Sequence, residues 1–496
     1  MSKKLKPSKA QTSDLNVEVK TLGAFGSTAM GIYADEVNLA RAVPDLIDGL
    51  KPVQRRIMVS SFLEGKDFVK TARVVGRCIG SLHPHGDGSV AGAITTIVQA
   101  SVPTVVGKGN WGSLIDPAAA MRYTNCMLSS YGLTFFEPNY YAKGVTNFVP
   151  NYDDTTVEPV SLPALLPNVL LNGGEGIGVG TTTCLPTFTP ESVVAVMVRL
   201  LKGEKLQPVD FAKALKYNYR WGGKLVNSKE NKLAWIQMFT GSTASVQFEA
   251  TIEVDRDHKA IEIDDWPQGL NPLKFIEKIR QMPECDQAYN NKGATGFRIE
   301  MKKSYNYDQF DKFVAKVQKA TYTKRSFKIN VTHRISKIHD GVITFDTKYL
   351  SLSVPQLLVT WLRERLALEK RSLVHRIEKQ NRAIDYSKLL IFACDKLDII
   401  FKALRQKDSK AFLMKELKLA SEQADQILDL KVRQLSKLDQ DSIKSKLKEQ
   451  QFHLRELEKW LAKPKGKVIE DTTRVMQSIE KDRKFEESKN RKMSVK

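Results

Sequence analysis

The chain has 496 residues, with 77 Lys and Arg against 56 Asp and Glu, a formal net charge of +21. An apolar share of 42% and a charged share of 27% suffice for several packed cores, and exclude wholesale disorder or a disulfide-stapled miniprotein. No stretch reaches the roughly 18 apolar residues of a membrane span, and the start, MSKKLKPSKAQTSD, lacks the apolar segment of a secretory signal.

The five cysteines (78, 126, 184, 285 and 394) stand apart without a C-x-x-C pair. That pattern points to reduced thiols in a cytoplasmic setting and not to a cysteine zinc site. The positive charge implies a polyanionic partner, nucleic acid before a membrane surface.

Residues 1–27 read as a basic tail, and 28–200, rich in Gly, Pro and apolar residues, as compact α+β material. Here RAVPDLIDGLKPVQRR (41–56) gathers Arg41, Lys51, Arg55 and Arg56 around a turn, either a solvated basic face or a phosphate-binding one. TARVVGRCIGSL (71–82) predicts a helix with Arg73 and Arg77 on one face. His83 and His85 flank Pro84 in a tight turn, and Asp87 is placed to N-cap a second helix from Gly88. Helix, turn, helix among basic residues is the pattern of a helix-turn-helix. The histidine pair suits phosphate hydrogen bonding better than metal binding, because no further His, Cys or acidic cluster stands nearby.

In GKGNWGSLIDPAAAMRYT (107–124), three glycines loosen a loop and three alanines offer no bulk before Met121, Arg122 and Tyr123. A tyrosine hydroxyl attacks poorly unless its phenolate is stabilised. A neighbouring guanidinium does that, and also steadies charge on a phosphoryl oxygen. The alternative is a buried structural tyrosine beside a surface arginine. The segment PNVLLNGGEGIGVG (167–180) lacks the spacing of a nucleotide loop. Its Ile177, presented on a glycine-rich turn, is instead an apolar wedge suited to a base step.

Residues 201–350 read as a second α+β unit, with strands in SVQFEATIEV and SFKINVTHRI and an amphipathic helix in LNPLKFIEKIRQM. Beyond it, Leu362, Leu366, Leu373, Ile377 and Ile384 recur at heptad-like spacing, as do Ile443, Leu447, Leu454, Leu457 and Leu461. These are two antiparallel arms, 351–388 and 441–480, joined by an apolar region, 389–440. There Ile427, Leu428, Leu430, Val432, Leu435 and Leu438 form either an ordinary buried helix or a dimer contact. Residues 481–496 read as a second basic tail.

Taken together, R-A-V-P-D-x-x-D-G-L-K-P-V-x-R-R, A-R-V-V-G, H-P-H-G-D, A-A-A-M-R-Y-T and L-L-N-G-x-x-G-I-x-V-G occur in an order that resembles the breakage-reunion subunit of type IIA DNA topoisomerases, the gyrase A and topoisomerase IV A type. The short chain is also similar to the medium subunit of tailed-phage topoisomerases. The resemblance is dense over 28–190 and collinear to about 480. It implies an α+β architecture: a winged-helix (helix-turn-helix) DNA-gate domain over 28–200, a tower-like domain over 201–350, coiled-coil arms, and a helical dimer gate over 389–440.

It further implies that Tyr123 forms a 5′-phosphotyrosyl bond with Arg122 stabilising the transition state. Arg41, Lys51, Arg55, Arg56, His83 and His85 would contact DNA, and Ile177 would intercalate. Partners are double-stranded DNA, a second copy of the chain, and a separate subunit or subunits supplying ATP hydrolysis and Mg²⁺, since this chain has no ATPase or acidic metal motif of its own. No C-terminal wrapping domain or Q-R-R-G-G-x-G box follows the arms, so the expectation is relaxation and decatenation without negative supercoiling. The chain departs from the bacterial pattern at Gln54, where His is usual, and in Leu114-Ile115-Asp116-Pro117. It also departs at Gly88 and Gly92, which implies a weak quinolone response. Charge and stalk alone are equally met by a non-catalytic helix-turn-helix dimer.

Overall fold

The computed structural model describes residues 21–292, 296–339, 342–429 and 437–494. The first helix, α1 (Leu22–Val37), begins at a Thr21 cap whose hydroxyl accepts from Ala24 N, so helix starts inside the stretch read as tail. A short π-helical turn, Asn38–Ala42, follows. Helix α2 (Pro52–Leu63) opens with Pro52 in its first turn, and Gln54 Oε1 accepts from the Lys51 backbone N–H at 3.0 Å. After strand β1 (Val69–Lys70), helix α3 (Thr71–Ser81) buries Val74, Val75 and Cys78. Helix α4 (Asp87–Val98) buries Val90, Ile94 and Ile97. The cap of α4 is Gly86 and not Asp87; the Asp87 carboxylate folds back onto Gly88 N at 2.8 Å inside the first turn.

Strands β2 (Val105–Lys108) and β3 (Asn125–Leu128) complete a small antiparallel sheet of order β1-β3-β2. Further along, β4 (Gly174–Ile177) and β5 (Thr182–Leu185) form a hairpin.

The head core joins α2, α3 and α4 to residues 162–171, to Phe188 and Val193, and to Trp235, Phe239, Phe248 and Phe327. The boundary expected at 201 is therefore displaced. Residues up to Phe248, and again from Phe327, bury aromatic side chains against the head through contacts such as Phe188–Trp235 and Tyr217–Phe248. A separate tower core lies between about 250 and 320. It comprises the sheet of strands 252–255, 260–263, 296–301 and 285–292 with helices Pro272–Arg280 and Tyr307–Ala320, centred on Trp266 with Phe275 and Phe297 edge-on.

A long hairpin, 329–339 with 342–352, leads to α5 (Val354–Asp395), a 42-residue helix capped by Ser353. A small third core around Leu389, Ala393, Ile400, Leu413 and Ile427 forms the distal end. Of the dimer segment anticipated there, Leu430, Val432 and Leu435 and the side chain of Leu438 lie outside the described residues.

Helix α6 (Lys437–Ala462) returns along α5. Ser387 Oγ donates to Gln450 Oε1 and Gln380 Nε2 to Gln450 O, both at 2.9 Å. The second arm ends at Ala462 and not near 480: Pro464 cannot donate a backbone hydrogen bond and disfavours helix at Lys463. Helix α7 (Pro464–Ser494) then packs on the head through Val468, Val475 and Ile479. The stretch expected as a basic tail from 481 is helical to Ser494. Leu362 and Leu366 likewise belong to the head core and not to the seam between arms.

Arms and head meet at a buried polar cluster. Arg365 bridges Glu369 and Asp471 at 2.9 Å each, and Tyr140 hydrogen-bonds to both carboxylates.

Candidate nucleic-acid interface

Tyr123 sits at the end of a loop whose two ends are fixed by one strand pair, since Lys108 at the end of β2 lies opposite Asn125 at the start of β3. Trp111 roots this loop. It is buried, its indole N–H donates to Lys108 O at 3.2 Å, and Gln99 donates to its carbonyl at 2.7 Å. Gly107 is required here: a Cβ would meet the Trp111 indole at 2.1 Å. At the far end, Tyr123 N donates to Ala120 O at 2.8 Å, and Thr124 joins Thr71, at the start of α3, through both backbone and hydroxyl.

The Tyr123 side chain is 65% exposed, and the Arg122 guanidinium lies over its ring at 4.7 Å from the centroid. A buried structural tyrosine is thereby set aside. A cation over the ring face stabilises negative charge developing on the phenol.

Ile177, 87% exposed, stands at the end of β4 beside the turn 178–181. Sequence reading missed what holds this tip: Asn38 Nδ2 donates to Val179 O at 3.1 Å, and Asn38 Oδ1 accepts from Val179 N at 3.0 Å. The two residues are 141 positions apart, and an isolated Asn carries no signal of that pairing. Gly176 allows the strand to approach Ala42, whose carbonyl oxygen would be 2.0 Å from an added Cβ. Lys51 Nζ donates to Glu175 O at 2.7 Å, tying the start of α2 to the same hairpin. The Pro44–Trp221 groove beside it encloses about 360 Å³, lined by Lys51, Gln54 and Glu175 among others. The glycine run is thus a braced hairpin presenting an apolar tip.

Arg56 chelates Glu158 at 2.7 Å through both nitrogens and also donates to His83 Nδ1 at 2.9 Å. An arginine can only donate, so His83 Nδ1 accepts and the ring proton resides on Nε2. His83 stacks on His85 with centroids 4.2 Å apart. Burial first, then the charges of His85, Arg56 and Arg41, push the His83 imidazole down to about 4. The unfolded histidine therefore takes up its proton first, so this group makes stability fall as pH drops from about 6.5 towards that value. An NMR titration of the free protein is expected to find His83 neutral from pH 8 to 5; a midpoint near 6.5 contradicts the arrangement.

Arg55 departs from the expected DNA-contacting set. It is buried, with Nε 2.5 Å from Asp48 Oδ2 and Nη2 3.1 Å from Asp48 Oδ1. Asp48 in turn accepts from Leu50 N and Leu162 N, so Arg55 braces the turn from inside. Arg73 and Arg77 both pair with Glu64 at 2.5 Å, which reduces the charge available to DNA on that face of α3.

The structure thus brings Arg41, Lys51 and Ile177 together around the hairpin, and Arg56, His83 and His85 around the end of α3. Tyr123 stands by the opposite end of α3, about 16 Å away for 11 residues at 1.5 Å rise. Among the described residues no three His, Cys, Asp or Glu side chains gather as a metal ligand set, and no helix is long and apolar enough to cross a membrane.

An exposed Tyr–Arg pair on a strand-fixed loop, a braced apolar hairpin tip and a long two-helix arm find their counterpart in one family: that of the A-type subunit of DNA gyrase/topoisomerase IV, which matches residues 41–474, and the chain belongs to it. It is 30% identical over 451 residues to the A-type subunit of DNA topoisomerase 4 from Pseudomonas aeruginosa, covering 87% of this chain and 58% of that one. It is 29% identical over 447 residues to the Haemophilus influenzae counterpart of the same topoisomerase 4 chain, covering 86% and 58%. Against the A-type subunit of DNA gyrase from Staphylococcus epidermidis, identity is 28% over 463 residues, covering 87% and 49%. The chain spans about half to three-fifths of the length of these relatives.

Proposed function

We propose that this chain is the DNA-cleaving and religating subunit of an ATP-dependent type II topoisomerase, acting as a homodimer on double-stranded DNA in the cytoplasm. The observation that carries the reading is the exposed Tyr123 phenol with Arg122 over its ring, on a loop fixed at both ends. Tyr123 Oη attacks a backbone phosphorus. The P–O3′ bond breaks, a 5′-phosphotyrosyl bond forms, and the leaving 3′ oxygen takes up a proton. Resealing is the reverse, with the 3′ hydroxyl attacking and the phenol leaving. The phosphodiester energy is conserved in the covalent bond, so resealing needs no cofactor. Two copies open both strands of one duplex, and a second duplex passes through, which gives relaxation and decatenation.

In this reading α2, α3 and α4 with the β1–β3 sheet serve as a winged-helix gate. Arg41, Lys51, Arg56 and His85 carry phosphate contacts, and His83 offers Nε2–H. The arms act as a coiled coil, and the distal core around Leu389 and Ile427 as the second dimer contact. The residues of this chain do not by themselves fit a divalent cation, so Mg²⁺ and ATP are assigned to one or more partner subunits.

Ile177, nearly fully exposed and braced only through backbone, is the intercalating wedge. An Ile177→Ala holoenzyme is expected to bend and cleave duplex DNA less, with overall affinity kept within about threefold because phosphate contacts dominate it. Bending by fluorescence transfer checks this, and an unchanged bend angle removes the wedge role. The overall reading is tested by trapping a protein–DNA adduct with denaturant in the reconstituted holoenzyme. If DNA is bound yet no adduct ever forms, the chain is a non-catalytic DNA-binding dimer with a coiled-coil stalk.

A further inference from the structure

The loop between β2 and β3 touches two different cores. It leaves the head at Trp111, which lies in the head core, and re-enters it at Met121, which packs against the same core. Between these points Leu114 and Ile115 pack against the tower core. They are the only large apolar residues between Trp111 and Met121, in a run otherwise built of Gly, Ser, Asp, Pro and Ala. The backbone presents them together: Ser113 Oγ accepts from the N–H groups of Ile115 and Asp116 at 3.1 Å each, and Ser113 N donates to Asp116 O at 2.8 Å. Gly112, at φ 75°, closes the turn against Ala118 N, which an added Cβ would approach to 2.6 Å. Ala119 N then donates to Asn110 O at 3.0 Å, so the excursion into the tower and the return towards Tyr123 are hydrogen-bonded into one unit.

We propose that Leu114 and Ile115 are positioning residues for Tyr123, seating its loop in the tower so that the place of the tower relative to the head sets where the phenol stands. This rests on the reading of Tyr123 as nucleophile. Attack needs the reacting atoms within about 3–3.5 Å, and a misplacement of about 1 Å costs on the order of 100-fold. Neither side chain reaches DNA chemistry itself; they act through the loop.

The test compares holoenzymes carrying Leu114→Ala/Ile115→Ala, Leu114→Met/Ile115→Val and Tyr123→Phe. Adduct formation at saturating duplex is read beside DNA affinity and thermal melting. The alanine pair is expected to slow adduct formation by about tenfold or more, leaving affinity within about twofold and melting unchanged, and the conservative pair to restore the rate. An unchanged rate overturns the inference, as does a rate that falls only in step with melting or affinity. Should the alanine pair not fold, the single Leu114→Ala is read in the same way, with an unchanged rate again decisive against it. If Tyr123→Phe still forms the adduct, the nucleophile reading fails instead, and the two failures are told apart.

Discussion

Holoenzyme carrying Tyr123→Phe is expected to form no covalent DNA adduct while binding duplex within about twofold of the parent, because phosphate contacts, which Phe leaves intact, dominate affinity. The substitution removes one oxygen and leaves the ring, so the stack under Arg122 is retained. The side chain is two-thirds exposed, and no buried hydrogen bond is sacrificed. Folding and the braces at Thr124–Thr71 and Tyr123–Ala120 are backbone or neighbouring-hydroxyl contacts that Phe does not touch. Loss of the adduct with preserved binding is therefore loss of the nucleophile itself. Denaturing gels of the trapped complex check it, and an adduct of normal yield from the Phe variant transfers the role to another residue.

The largest expected effect on stability lies at the root of the arms. Arg365 has no exposed side-chain surface and bridges Glu369 on its own helix and Asp471 on α7. Burial alone would push the Asp471 carboxyl up, but the charge of Arg365, the Tyr140 hydroxyl, Lys467 and Arg474 hold it below the usual carboxylate range. A depressed carboxyl contributes stability above its unfolded pKa of about 4 that is lost as pH falls through the folded value.

Arg365→Met removes the main counter-charge and leaves two buried carboxylates, a change that costs about 3–5 kcal/mol where one partner of a buried pair is deleted. The sign of the pH dependence is expected to reverse in the variant. With Arg365 gone, burial dominates at Asp471, the folded carboxyl is raised, and the deficit shrinks as pH falls from 8 to 5. Denaturant unfolding at those two pH values checks both statements, and a deficit under about 1 kcal/mol at pH 8, or one that grows on acidification, contradicts the cluster as the lock between arm and head.

The motif-bearing stretches were legible because their chemistry is local. The tight turn at His83-Pro84-His85, the glycines around Trp111 and the exposed tip at Ile177 each follow from residues within a few positions of one another. Arg55 and Arg56 mark where locality ends. They are neighbours of the same type on one helix, about 100° apart around its axis; one points to Asp48 inside and the other to Glu158 and His83 at the rim. Only the packed helix decides which is which.

The tower boundary was missed for a similar reason. Strand 245–249 alternates as a strand should, but its Val246 and Phe248 belong to the head core and the Ala250 just beyond it to the tower. The second arm was extended too far because apolar spacing continues past Pro464, although the proline itself signalled the break.

The central claim is that Tyr123 becomes bonded to the 5′ phosphate of a broken strand. Its most direct test is mass spectrometry of the proteolysed adduct trapped with DNA of defined sequence, which reads both the modified residue and the DNA end. The account predicts a nucleotide on Tyr123 through its 5′ phosphate, with a free 3′ hydroxyl on the other fragment. A 3′ linkage, or modification at any other residue, contradicts it.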